Sequence, residues 1–199
     1  MKRAERTELR RREILAAYYQ ALLDEGLQGA SIAKVARRLD VTPSLLLHYF
    51  GTKDQMTIAL VDYLLDEFRH SFADQLAAIE DPVTRLRTIL DALFSPGYHR
   101  LLDDRAFYAC FYLSLQNDEV QKRFAVLDEA TMQLVEGTIV ACMDEGAIPR
   151  ADARELATLV NVLEEGYAFR IGGDPDEAAK TALGEMLRGR AAALLGLDA

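Results

Sequence analysis

The chain has 199 residues, half of them hydrophobic, which is enough to bury one large core or two small ones. No stretch approaches the ~18 continuous apolar residues of a membrane span, and no apolar run follows the charged N-terminus, which argues against a secretory signal. The two cysteines, Cys110 and Cys142, are too few for a zinc site or a disulfide framework. We therefore expect a cytoplasmic protein with no cofactor and no metal.

The net charge of −9 is distributed unevenly along the chain. Residues 1–53 carry ten Lys or Arg and six Asp or Glu, whereas the rest of the chain carries 13 basic and 26 acidic side chains. This asymmetry is typical of a protein that turns a basic end toward phosphate groups and keeps an acidic body away from them. An ordinary fluctuation of surface charge is the alternative explanation.

Basic residues are concentrated at the N-terminus. We interpret them as a disordered extension that becomes ordered on DNA, with a solvated charge run as the alternative. They are Lys2, Arg3, Arg6, Arg10, Arg11 and Arg12.

Helical periodicity dominates the chain and we find no convincing β alternation, so the predicted fold class is all-α. The first helix is expected from about Glu8 to Asp24, because Gly26 follows and glycine favours the left-handed turn that ends a helix. Ser31 is expected to cap the second helix through its side-chain oxygen.

The third and fourth helices have equally local signals. Thr42 is expected to cap the third, with Pro43 in the first turn, where a missing N–H costs nothing. Thr52 is expected to cap a fourth helix from Lys53 to about residue 79. Further helices are predicted at about 82–94, 104–116, 118–145, 152–171 and 175–195.

The second and third helices, joined at Leu39-Asp40-Val41, have the layout of a helix-turn-helix. In that motif the second helix presents its N-terminal side chains to base edges in the major groove. Val41 and Leu46 are expected to point inward and anchor this helix. The pattern alone is weak evidence, since short helix pairs are common.

Three runs of residues make the prediction more specific. They are Ser31-Ile32-Ala33-Lys34-Val35-Ala36, Val41-Thr42-Pro43-Ser44 and His48-Tyr49-Phe50-Gly51-Thr52-Lys53. Together they strongly resemble the N-terminal head of the TetR family of one-component transcriptional regulators. The rest of the chain resembles that family in layout only, as a multi-helix body that ends in two helices separated by a Gly/Asp/Pro turn.

The resemblance implies a helix-turn-helix DNA-binding domain over residues 1–52 and a helical effector-binding and dimerisation domain over residues 53–199. It also implies a homodimer whose last two helices, about 152–171 and 175–195, form a four-helix bundle. The expected function is a repressor bound to double-stranded operator DNA and released when a small molecule enters the body.

The resemblance also assigns the residues that contact DNA. The recognition-helix positions are Thr42, Pro43, Ser44, Leu45, His48 and Tyr49. Lys53 falls at the family's phosphate-contacting lysine, and a helix N-terminus suits that role. Ser31 is a further candidate for a phosphate contact, whereas Phe50 is expected to pack in the core. Tyr49 is expected to donate to a backbone phosphate, with core packing as the alternative.

One departure from the family concerns Leu45-Leu46-Leu47, where a small polar residue is common at the first position and an aromatic residue at the third. Three consecutive helical positions cannot all face one core. We expect Leu46 to be buried and Leu45 or Leu47 to be partly exposed. Leu45 is a candidate for contact with thymine methyl groups.

An apolar run at residues 105–116 is the best candidate wall for an effector cavity, since it is apolar on nearly every face and is expected to lie centrally. Its aromatic residues are Phe107, Tyr108, Phe111 and Tyr112. Asn161 and Glu165 share one face of a later helix. Glu165 would favour a cationic ligand if it pointed inward, and is ordinary solvated charge otherwise. Plain core packing is the alternative for the aromatic residues.

The last two helices carry apolar stripes that suit association between two copies. The stripe on the penultimate helix comprises Leu156, Leu159, Val160, Leu163 and Tyr167. Packing within one chain is the alternative.

Two other classes of function fit the sequence less well. An enzyme is not expected, because the three histidines do not converge with other groups and no metalloprotease or phosphate-loop motif occurs. A helical adaptor without DNA activity, which would bind a protein through Leu45 and Leu47, is the remaining alternative.

Overall fold

The computed structural model describes residues 3–68, 74–101, 111–115 and 117–197. These ranges contain helices and turns with no strand, so the predicted all-α fold is confirmed. The helices are α1 (Arg3–Gly29), α2 (Ile32–Arg38), α3 (Pro43–Phe50), α4 (Lys53–Phe68), α5 (Asp74–Ala77), α6 (Pro82–Leu93), α7 (Pro96–Leu101), α8 (Asp118–Asp144), α9 (Ala153–Ile171) and α10 (Glu177–Leu195). Residues 111–114 are also helical.

The chain divides into two compact units. The N-terminal unit comprises residues 1–67 and 105–125, and the C-terminal unit comprises residues 68–104 and 126–199. Most of α4 belongs to the N-terminal unit, because Met56 and Leu60 are buried in the same core as the side chains of α1, α2 and α3. The functional boundary at residue 52 stays a prediction.

Helix α1 begins earlier than predicted and is interrupted where its end was predicted. It begins at Arg3 rather than Glu8, and Glu5 in its first turn suits the positive end of the helix dipole. The first helical segment ends at Gly26 as predicted, because this glycine has a positive φ of 70° and a non-helical backbone, and a short second segment continues to Gly29. The prediction of a disordered basic extension is wrong for residues 3–12, which are helical, whereas Lys2 lies outside the described ranges.

Side-chain caps position α2 and α4 as predicted. The Ser31 hydroxyl oxygen accepts from the Lys34 N–H at 3.3 Å. At α4, the Gln55 N–H donates to Thr52 Oγ1 and the Thr52 N–H donates to Gln55 Oε1, both over 3.1 Å, which is a capping box.

The prediction that the Thr42 side chain caps α3 is wrong. Thr42 occupies the N-cap position with an extended backbone, but its side chain makes no capping hydrogen bond. Its Oγ1 lies 3.0 Å from the Ser44 hydroxyl oxygen instead. Pro43 is the first residue of the helix and has no N–H, so one of the unpaired donors at the start of the helix is absent.

The C-terminal unit is built on α6, which begins after Asp81 caps it by accepting from the Thr84 N–H at 2.7 Å. Its side chains share a core with α8, α9 and α10. Val160 and Tyr167 of α9 are fully buried there. These two residues of the predicted association stripe therefore pack within the chain. The exposed apolar residues of α9 include Leu159 and Val162.

Candidate nucleic-acid interface

Helix α3 has one buried and one exposed side. Leu46 and Phe50 are buried in the core of the N-terminal unit, as predicted. Thr42, Pro43, Ser44 and His48 are exposed. The exposed residues form a continuous surface at the N-terminal end and along one face of the helix, which is the geometry a groove-reading helix needs.

The three leucines of α3 are arranged as expected. Leu46 has no exposed surface, whereas Leu47 is 41% exposed and Leu45 is half-buried. Successive positions on a helix are about 100° apart, so burying Leu46 turns its two neighbours toward opposite edges of the buried face.

The turn between α2 and α3 is a Schellman motif with Asp40 in the left-handed position. Asp40 has a φ of 53°, and it is the only non-glycine residue with a positive φ in the part of the chain that the structure describes. The Val41 N–H donates to the Ala36 carbonyl at 3.0 Å and the Asp40 N–H to the Arg37 carbonyl at 3.3 Å. This turn closes α2 and directs the chain into α3.

Two of the basic side chains of α2 are engaged within the N-terminal unit. Lys34 forms an ion pair with Glu25, and Arg38 lies 2.7 Å from Asp24 and 3.6 Å from Glu25. The hydrogen bond from Lys34 lowers the pKa of Glu25, and the charge of Arg38 adds to that effect. The positive charge available to phosphate is therefore smaller than the count of basic residues suggests.

Lys53 and Tyr49 lie beside the start of α4. Lys53 is the first residue of that helix and is half-buried, next to the capping box of Thr52. Tyr49 packs partly against the core of the N-terminal unit, and its ring meets His48 edge-on at 5.7 Å between centroids. Both residues leave part of their surface accessible at the end of α3.

A buried hydrogen-bond chain behind this surface was not predicted. The Tyr18 hydroxyl on α1 lies 2.8 Å from Thr57 Oγ1, which itself donates to the Lys53 carbonyl at 2.9 Å. In the sequence, Tyr18 and Thr57 show only the helical spacing of core positions, and nothing indicates that they bond to each other. A buried tyrosine requires a partner for its hydroxyl, but the sequence does not identify that partner.

The predicted wall of the effector cavity is described only in part. Phe107 and Tyr108 lie outside the described residues. Phe111 and Tyr112 are 44% and 56% exposed, so the prediction of central burial is wrong for these two. The buried position of that turn is taken by Ser114, which donates to the Phe111 carbonyl, and the partly buried Leu113 packs against Val61 and Val120.

Asn161 and Glu165 of α9 are in contact, as their spacing predicts. The Asn161 amide nitrogen lies 3.3 Å from Glu165 Oε1, and Glu165 is exposed. Partial burial raises the pKa of Glu165, and the nearby charge of Asp128 raises it further. Near the same helix, burial raises the pKa of Tyr98, with a contribution from Glu164.

Two models of known protein families match this chain. The family model described as "Bacterial regulatory proteins, tetR family" matches residues 14–60, which cover α2, α3 and the capping box of α4. The model "Tetracyclin repressor-like, C-terminal domain" matches residues 80–197. The chain belongs to the TetR family. As a TetR-family protein it is a DNA-binding transcriptional regulator with a ligand-binding C-terminal domain, and the family is one of regulators rather than enzymes.

Curated relatives of this TetR-family chain support the same conclusion. The HTH-type transcriptional regulator BetI of Burkholderia ambifaria is 29% identical over 171 residues, which are 84% of this chain and 86% of that protein. The BetI of Brucella canis is 25% identical over 188 residues, which are 93% and 92% of the two chains.

Solved structures share the fold. A TetR transcription regulator from Haloarcula marismortui has a TM-score of 0.81 at 24% identity, covering 96% of this chain and 97% of its own. A transcriptional regulator from Saccharomonospora viridis in complex with choline has a TM-score of 0.81 at 18% identity, over 92% and 95%. AibR in complex with isovaleryl coenzyme A and operator DNA has a TM-score of 0.67 at 19% identity, over 94% and 98%.

Among the described helices, none combines the length and the hydropathy that crossing a lipid bilayer requires.

Proposed function

We propose that the exposed side of α3 enters the major groove of operator DNA as the recognition helix. Thr42, Pro43, Ser44, Leu45 and His48 then meet base edges, with Leu45 placed to contact thymine methyl groups. The strongest support is the division of α3 into two sides. Leu46 and Phe50 face inward, whereas Thr42, Pro43, Ser44 and His48 face outward beside the exposed Leu47.

Three residues around α3 are proposed to contact phosphates. Lys53 combines an ammonium group with the free N–H groups and positive dipole end of α4. Tyr49 keeps part of its surface accessible at the end of α3, and Ser31 is half-buried at the start of α2. These contacts would set the register of the protein on the duplex without reading its sequence.

A homodimer through α9 and α10 completes the proposal. Dimerisation is typical of the family, and both helices carry exposed apolar side chains on the C-terminal unit. They are Leu159 and Val162 on α9, and Met186 and Leu194 on α10, each more than 40% exposed. Exposed apolar surface of this kind marks an interaction site, and a two-fold dimer would place two recognition helices on successive half-sites.

The domain from residue 53 onward is proposed to bind a small-molecule effector that releases a repressor from its operator in the cytoplasm. The candidate effector residues are Phe107, Tyr108, Phe111, Tyr112, Asn161 and Glu165. Support comes from the C-terminal family assignment and from neighbours of the same fold that bind choline and isovaleryl coenzyme A.

The DNA-binding proposal is tested with a duplex enriched from a random-sequence library by the full-length protein. We expect T42A/S44A and H48A to change which duplexes are enriched, whereas K53A lowers affinity for every duplex and reduces the salt dependence of binding. Lys122, which is exposed on α8 and paired with Glu119 at 3.1 Å, supplies a charge-matched control variant, K122A. Failure to enrich any duplex would overturn the proposal, as would equal effects of K53A and K122A.

A further inference from the structure

Arg11 of α1 makes two contacts with the end of α3. Its guanidinium donates from Nη1 to the Tyr49 carbonyl at 2.5 Å. The same group lies over the Phe50 ring, with 4.4 Å between the guanidinium carbon and the ring centroid. These contacts join residues 38 positions apart in the sequence.

The end of α3 is a chemically suitable place for this side chain. The last carbonyls of a helix have no partner within the helix and carry the negative end of its dipole, so a cation that donates there is favourable. Arginine satisfies both demands, because its planar group can stack on an aromatic face while its N–H groups donate in the plane.

The contacts matter because α3 is short. A helix of eight residues has little stability of its own and depends on its packing for orientation. Leu46 and Phe50 hold its buried side by apolar packing, which is not directional. The hydrogen bond from Arg11 adds a directional restraint at one end.

On this geometry we propose that Arg11 is a positioning residue, which sets the orientation of α3 on the N-terminal unit so that its exposed side fits the groove. This role is different from a phosphate contact by a basic extension, the interpretation that the sequence alone favours. The inference rests on the proposed function of α3 as the recognition helix.

The experiment compares two duplexes of equal length, one enriched from a random-sequence library by the unaltered protein and one with the same bases scrambled. R11A is expected to reduce the affinity ratio between the two roughly tenfold, the scale of a hydrogen bond to a charged group. The slope of log affinity against log salt should stay unchanged. R12A, at the exposed neighbouring position, controls for loss of one positive charge from the same helix turn.

Two further variants separate positioning from a loss of folding. R11K keeps the charge but cannot stack as a plane, and F50L removes the ring while keeping an apolar side chain. If the two side chains act together, the affinity ratio between the two duplexes will be the same for R11K/F50L as for R11K alone. Each variant is used below its own unfolding temperature, measured by circular dichroism.

The results distinguish two kinds of failure. If no duplex is enriched, the function proposed for α3 fails and this inference with it. If a duplex is enriched but R11A leaves the affinity ratio intact, only the positioning role is overturned. The same holds if R11A weakens both duplexes equally and reduces the salt slope by about 0.9, the value for one lost phosphate contact.

Discussion

Tyr18 is the donor in its hydrogen bond with Thr57, because the Thr57 hydroxyl already donates its proton to the Lys53 carbonyl. The bond crosses from α1 to α4 inside the core, where Tyr18 has no exposed surface. It therefore connects the packing of α1 to the first turn of α4, the turn that carries Lys53.

Removing the Tyr18 hydroxyl should destabilise the protein. Y18F leaves Thr57 Oγ1 without its donor and is expected to lower the free energy of unfolding by about 1–2 kcal/mol. Urea unfolding followed by circular dichroism measures the change. The matched control is Y112F. Because Tyr112 is exposed, loss of its hydroxyl should change the free energy of unfolding by less than about 0.5 kcal/mol. Equal effects of the two changes would show that the buried bond contributes nothing.

The left-handed backbone of Asp40 predicts an unusual order of substitutions. D40G should be neutral or stabilising, because glycine adopts positive φ without a steric penalty, whereas D40A should cost about 1 kcal/mol relative to D40G. Thermal unfolding of both variants tests this order. The reverse order would mean that the turn relaxes to a different conformation when the carboxylate is removed.

Gly184 of α10 should tolerate no side chain. A Cβ built there would lie 2.1 Å from the Phe94 carbonyl oxygen and 2.8 Å from the Tyr167 hydroxyl oxygen. We expect G184A to destabilise the protein by about 1–3 kcal/mol through forced movement of the backbone near Phe94. G137A on α8 is the control. Apart from its chain neighbours and the backbone of its own helix, no described atom lies within 4 Å of its Cβ position, so alanine should stabilise that helix by about 0.5–1 kcal/mol. Both values come from denaturant unfolding, and a harmless G184A would contradict the packing of α10 on α6.

The proposed dimer predicts a change of mass on adding charge to its surface. V162D/M186D places carboxylates among exposed apolar side chains of α9 and α10 and is expected to produce monomers in light scattering after size exclusion. V126D on α8, where the side chain is 72% exposed, is the control and should leave the mass unchanged. A dimer that survives V162D/M186D would place the interface elsewhere.

Local signals made several helix starts and the buried side of α3 predictable. Ser31 and Thr52 cap their helices as short-range sequence patterns indicate, and the period of α3 correctly placed Leu46 inside. The same is true of the contact between Asn161 and Glu165, which are one helical turn apart.

Features that depend on distant parts of the chain were missed or misinterpreted. The N-terminal arginines carry no local sign that α1 begins at Arg3 or that Arg11 meets Tyr49. The apolar stripe of α9 is compatible in sequence with association or with packing within one chain, and Tyr167 and Val160 are buried against neighbouring helices of the same chain. Periodicity identifies an apolar face but not its partner, since a core and an interface have the same chemistry.

The two-sided character of α3 has an evolutionary consequence. The side chains that hold the helix in place, Leu46 and Phe50, are different from those that face outward, Thr42, Ser44 and His48. Substitutions at the outward positions should cost little stability. With α3 as the proposed recognition helix, a duplicated gene can acquire a new target sequence without first losing its fold.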